Sequence, residues 1–197
     1  MHQVLTAVDY LHERGICHRD IKAENFLISK KGDLSSIKLF SFKNATQNGV
    51  EDKLYSGMSK RIGTLYYIAP EVIIGDYGLQ CDMWSVGVLS YIMLSGKLPM
   101  KGKNDHQTIN LIKSGFKGQT HFNTAPWDRI SDHAKDFVEQ LLNINVQERL
   151  TAKEALDHPW IIEARQHNSK ISKQLLVPNS AVIYGTVCDL IDAEQQL

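Results

Sequence analysis

A mainly helical fold with a few short strands is the class this sequence predicts, and three observations carry it. Val4, Leu5, Val8 and Leu11 recur at helical spacing close to the start of the chain. Met83 to Leu98 is the longest apolar stretch, interrupted by Ser85, Gly87, Ser90, Ser95, Gly96 and Lys97. It is too short to span a bilayer and reads as a buried core helix. Thr151-Ala152-Lys153-Glu154 has the capping-box pattern, in which hydroxyl and carboxylate satisfy each other's backbone amides at a helix start.

Composition bounds the function. The chain has 197 residues, enough for one well-buried domain and short for two. Lys plus Arg (22) equals Asp plus Glu (22), so no global basic field draws it to nucleic acid or acidic lipid. Cys17, Cys81 and Cys188 are odd in number, far apart in sequence and free of C-x-x-C spacing. They read as reduced thiols of a cytoplasmic protein, with neither a disulfide framework nor a zinc site. Met1 leads straight into the amphipathic pattern, so no secretory leader is expected.

In chain order, the first helix is expected to stop at Gly15. Phe26 to Ile28 and Ile37 to Phe40 predict two short strands joined by a Lys31-Gly32-Asp33 turn. Asn44 to Arg61 is polar, with Asn48-Gly49 and Ser56-Gly57, and predicts a long surface loop. Asp82 opens a helix expected over Trp84 to Leu94. After Trp127, Ser131 is the N-cap of a helix through Leu142, with Phe137, Val138, Leu141 and Leu142 on one face. The helix begun by the capping box is expected to end at His158-Pro159-Trp160, and the chain to leave the domain after Ile162. Lys170 to Leu176 is mildly basic and amphipathic, and a docked tail is the preferred reading.

Chemistry concentrates at His18 to Asn25, His-Arg-Asp-Ile-Lys-Ala-Glu-Asn. Asp20 can accept a proton from an attacking hydroxyl, Lys22 can offset charge on a phosphoryl group, and Asn25 can offer an oxygen to a divalent metal. The stretch resembles the catalytic loop of eukaryotic protein kinases, H-R-D-x-x-x-x-N, and Lys22 belongs to the serine/threonine pattern. Four further motifs agree in order: Gly63-Thr64-Leu65-Tyr66-Tyr67, Ala69-Pro70-Glu71, Asp82-Met83-Trp84-Ser85-Val86-Gly87, and a distal Arg149. The forms around Gly63 and Arg149 are similar to calcium-dependent and calmodulin-dependent kinases, including those of plants and protists.

The resemblance implies the mainly α large, C-terminal lobe of a protein kinase, with short strands near the catalytic loop. Its implied catalytic residues are Asp20, Lys22 and Asn25, with Glu24 and Asn25 on the cofactor side. Arg19, Thr64, Tyr67 and Glu71 would serve the activation segment and substrate docking. In that segment Thr46, Ser56 and Ser59 are candidate phosphorylation sites facing Arg19, although any polar loop contains such residues. Asp82 would cap its helix and bond the catalytic-loop backbone; Arg149 would form a buried ion pair with Glu71. ATP and Mg2+ are the implied cofactors. One departure stands out. Where the family has Asp-Phe-Gly, this chain has Ser41-Phe42-Lys43, so the metal positions are Asn25 and a degenerate Ser41. A neutral hydroxyl is a poor ligand for a hard cation, and Lys43 restricts the backbone where the pattern has glycine.

The domain boundaries expected are 1–162 for an incomplete kinase domain and 163–197 for a tail, a possible start of a regulatory junction. No glycine-rich loop, V-A-I-K lysine or EF-hand loop occurs in the 197 residues, so the small lobe is expected to be absent. The expected function is a calcium-dependent-type serine/threonine kinase fragment, inactive as this chain. The alternatives are a kinase whose small lobe lies elsewhere, a pseudokinase-type module binding protein through its peptide-docking surface, and a remnant self-associating through an exposed inter-lobe face. Glu24 is the candidate contact for a basic residue of a peptide partner.

Overall fold

In the computed structural model, residues 1–28, 37–47 and 65–171 are described, with side chains through 166. The turn at Lys31 to Asp33, Gly63, Thr64, Ser56, Ser59, Cys188 and most of the amphipathic stretch from Lys170 lie outside them. Twelve elements follow in chain order. They are α1 (His2–His12), β1 (Ile16–Cys17), β2 (Phe26–Ile28), β3 (Ile37–Leu39) and β4 (Thr46–Gln47). Then come α2 (Pro70–Ile74), α3 (Gln80–Ser95), α4 (Asp105–Ser114), α5 (Gly118–His121), α6 (Asp132–Leu141), α7 (Ala152–Leu156) and α8 (Pro159–Ile171).

Helix α3 is the axis of the core. All twelve residues from Cys81 to Ile92 are buried, which is why its sequence is apolar all round instead of striped. It begins four residues before the predicted Trp84. Inside it, Ser85 and Ser90 turn their hydroxyls onto the carbonyls of Cys81 and Val86, so neither brings an unpaired donor into the core. Helix α6 crosses it closely. A Cβ on Gly87 would lie 2.9 Å from the Leu141 Cβ, so only glycine lets the two backbones approach this far.

Helix α1 buries Val4, Leu5, Val8 and Leu11, as its spacing predicts, and packs against α7 and β3. It ends at His12, and Gly15, at φ 68, turns the chain into β1. Strands β2 and β3 pair antiparallel with Phe26 opposite Leu39 and Ile28 opposite Ile37. A second antiparallel pair joins β1 to β4, Ile16 opposite Gln47, inside the stretch expected to be irregular from Asn44 onward.

Two helix ends differ from expectation. The capping box of Thr151 and Glu154 is complete, but α7 stops at Leu156. Pro159 then opens α8, as a proline without an amide hydrogen can at a first helical position. The chain stays helical through Ile171, past residue 162. Among the described residues no helix is long and apolar enough to cross a membrane.

Candidate functional site

The loop from His18 to Asn25 leaves β1 and ends in a single 3-10 turn, Ala23–Asn25, that feeds β2. Its position is set from below by Asp82 in the first turn of α3. One carboxylate oxygen of Asp82 accepts from the His18 amide and the other from the Arg19 amide, both at 2.8 Å. His12 of α1 adds a third contact, 3.0 Å from Oδ2. Asp82 therefore does not cap α3, whose N-cap is Leu79 with no side-chain bond. Its carboxylate is spent on the neighbouring loop, so the expected capping role is corrected while the loop contact stands. That clamp also holds Arg19 at φ 62, a left-handed conformation that costs an L-residue about 1–2 kcal/mol.

His18 is fully buried and its two nitrogens have different partners. Nε2 lies 3.1 Å from the Phe40 carbonyl, so it carries the hydrogen and donates. Nδ1 is then bare, and accepts from the Asp20 amide at 3.3 Å. A neutral imidazole thus ties the strand leaving β3 to the backbone of Asp20. The Phe42 ring packs edge-on against it at 5.1 Å.

The loop brings Asp20, Lys22 and Asn25 together. Lys22 Nζ is 3.0 Å from Asp20 Oδ1, and Asn25 Nδ2 donates to Asp20 Oδ2 at 2.9 Å and to its carbonyl at 2.6 Å. Asp20 is 7% exposed, so its charge is held close to two donors with little water to screen it. Glu24 does not join this cluster. One of its carboxylate oxygens is buried with no hydrogen-bond partner among the described residues.

Ser41 begins the next 3-10 turn, Phe42–Asn44, at φ 66 and ψ 65. The Phe40 amide donates to the Asn25 carbonyl at 3.0 Å, which lays this segment beside the loop. Phe42 and Lys43 are exposed. With Asp20 already engaged by Lys22 and Asn25, the neutral donors left for a divalent cation are the Asn25 amide oxygen and the Ser41 hydroxyl. Those two positions supply no carboxylate, the group that together with substrate phosphates usually holds Mg2+.

Farther out, Arg19 donates through Nε to the Asn44 carbonyl and through Nη1 to the Tyr77 hydroxyl at 3.1 Å. Tyr67 is buried, and its carbonyl accepts from Ser85 Oγ at 2.8 Å. Glu71 in α2 faces Arg149, which follows α6. The guanidinium forks onto both carboxylate oxygens, the second at 3.0 Å, and also donates to the carbonyls of Gln80 and Asn143. Its face lies 5.2 Å from the Trp84 ring. Thr46, a candidate phosphorylation site, pairs with Cys17 in the short sheet.

Sequence reasoning missed Tyr77, His12 and the closeness of Cys17 to Cys81. Their partners lie 58, 70 and 64 residues away in the chain, and no spacing rule spans such distances.

Residues 1–161 match the protein kinase domain family. The chain belongs to that family. Among curated relatives it is similar to calcium-dependent protein kinase 3 of Plasmodium yoelii yoelii, 44% identical over 161 residues, covering 81% of this chain and 29% of the relative. CDPK-related kinase 1 of Arabidopsis thaliana is 37% identical over 187 residues, covering 95% of this chain and 30% of the relative. This kinase chain thus spans under a third of the length of either relative. Among solved structures, the crystal structure of the Rad53 kinase domain and SCD2 matches with a TM-score of 0.64 at 36% identity, covering 81% of this chain and 53% of that one. The helix-rich, protein-kinase-like fold with few short strands is thereby established.

Proposed function

We propose that this kinase chain is the large-lobe part of a calcium-dependent-type serine/threonine protein kinase, with its catalytic loop assembled and its metal side unable to support transfer. Asp20 is the base that takes the proton of a substrate hydroxyl, Lys22 the cation that steadies Asp20 and an incoming phosphoryl oxygen, and Asn25 the residue that orients Asp20. Ser41, neutral and left-handed where the family has a metal-binding aspartate, carries the reading that the chain alone neither binds Mg-ATP tightly nor transfers phosphate. Phosphoryl transfer depends on positioned phosphates and metal, so an intact base without them has nothing to act on.

The test is calorimetric titration of the purified chain with ATP, with and without Mg2+. No detectable heat in either arm is the expected result; saturable, magnesium-dependent binding would overturn the reading. A second role has support of its own. Leu27, Phe40 and Phe42 are 52%, 37% and 50% exposed around the catalytic loop, an apolar surface available for self-association. Mass rising with concentration in sedimentation would support it, and a constant monomer mass would remove it. Peptide docking on the surface near Gly63 to Glu71, with Glu24 receiving a basic residue, is tested by peptide binding without nucleotide.

A further inference from the structure

Cys17 and Cys81 take no part in the chemistry described so far. Cys17 closes β1 and Cys81 is the second residue of α3; both are buried, and both are free thiols. Their sulfurs are in contact, 3.4 Å apart. Each is the chain neighbour of a residue that sets the catalytic loop, Cys17 of His18 and Cys81 of Asp82. Cys81 also lines a small cleft with Arg19, Asp20, Tyr67 and Tyr77, which has room for a molecule about the size of water. Hydrogen peroxide, the smallest hydroperoxide, is the member of its class best suited to so small a cleft.

We propose that Cys17 and Cys81 form a modification site, oxidised by hydrogen peroxide to an intramolecular disulfide that ties β1 to the first turn of α3. In the first step the Cys81 sulfur gives an electron pair to peroxide. The O–O bond breaks, an S–O bond forms, and one water leaves a sulfenic acid. The Cys17 sulfur then attacks the Cys81 sulfur; the S–S bond forms, the S–O bond breaks, and hydroxide departs with the Cys17 proton as a second water. Two thiols and one peroxide become one disulfide and two waters.

The geometry favours the second step. Contact at 3.4 Å must close only to about 2.05 Å, a movement of ~1.4 Å shared between two elements. The hydrogen bond with Cys17, then burial, then the Asp82 charge hold the Cys81 thiol well above the usual thiol range. A raised pKa leaves little thiolate, so the first step is slow and calls for sustained exposure to peroxide. An Asp82 carboxylate oxygen lies within 4.8 Å of both sulfurs, the makings of a soft-metal site. Both Asp82 oxygens already hold the loop amides, which disfavours that use. Closing the disulfide shifts Cys81, and with it Asp82, so the His18 and Arg19 amides register the change. None of this depends on whether the chain binds ATP.

The test uses the 197-residue chain with Cys188→Ser, leaving two thiols. It is treated with hydrogen peroxide with and without a chelator, denatured, alkylated, digested and weighed. The expected result is a peptide pair joined through Cys17 and Cys81, lighter by two hydrogens and separated by reductant, at a yield independent of protein concentration. In the Cys17→Ala variant, Cys81 should instead label with a sulfenic-acid probe. Recovery of both residues as alkylated thiols after prolonged peroxide would overturn the proposal. So would a disulfide joining two chains, or a loss of thiol labelling that the chelator prevents.

Discussion

Two neighbouring stretches, His18 to Asn25 and Ser41 to Asn44, are held in different ways. The first is held from other elements by Asp82 of α3, itself braced by His12 of α1, and by the Phe40 carbonyl beyond β3, while Lys22 and Asn25 within it hold Asp20. The second has a neutral serine at its head, two exposed residues behind it, and a lysine where the family has glycine. The loop that holds the candidate base is part of the folded core, whereas the stretch that would hold a metal rests on its surface. A change of residue at position 41 therefore need not loosen the loop, because the Asp82 clamp that sets the loop does not pass through Ser41.

The largest expected effect breaks the buried side of this contrast. Arg149→Ala leaves Glu71 buried without its partner and removes bonds to Gln80 and Asn143. Chemical denaturation should show a loss of about 3–5 kcal/mol. A loss under 1 kcal/mol would mean that the ion pair does not brace the core. Asp82→Asn should cost about 2–3 kcal/mol, because an amide offers one acceptor to two backbone amides and the Arg19 conformation loses its support. Amide chemical shifts of His18 and Arg19 should move with it; unchanged shifts would show that the clamp is dispensable.

A smaller effect belongs to the exposed capping box of α7. Thr151→Ala should cost about 1 kcal/mol. The Thr151 backbone amide and then its hydroxyl hold the Glu154 carboxyl below its usual range. A folded-state pKa below the unfolded one gives stability that is present above pH ~4.5 and lost as pH falls through the lowered value. The Thr151→Ala penalty should therefore shrink in acid, and a penalty unchanged at pH 3 would contradict this. The smallest effect sharpens the comparison: Ser41→Asp should alter stability by less than about 0.5 kcal/mol. A large loss in thermal unfolding would place Ser41 inside the core framework after all.

Much of the fold was legible wherever a signal is local. The α1 stripe, the Ser131 cap of α6, the Thr151 capping box and the two runs that become β2 and β3 depend on residues within a few positions of one another. Asp20, Lys22 and Asn25 were legible for the same reason, since a short loop cannot carry them far apart. The β1–β4 pair was not, because two-residue strands have no periodicity and each exists only where the other meets it. The run from Leu156 to Pro159 misled because a proline that ends one helix can equally begin the next.

By itself the sequence determined the family, the grouping of Asp20, Lys22 and Asn25 in one short loop and the serine at position 41, all of them matters of residue identity at short spacing. Only the tertiary structure decided what Asp82 does with its carboxylate, which imidazole nitrogen of His18 carries the hydrogen, and that Cys17 touches Cys81. Each of those is a contact between elements tens of residues apart, set by how α3 packs beneath the loop. Packing in three dimensions, and no pattern along the chain, brings such groups within bonding distance.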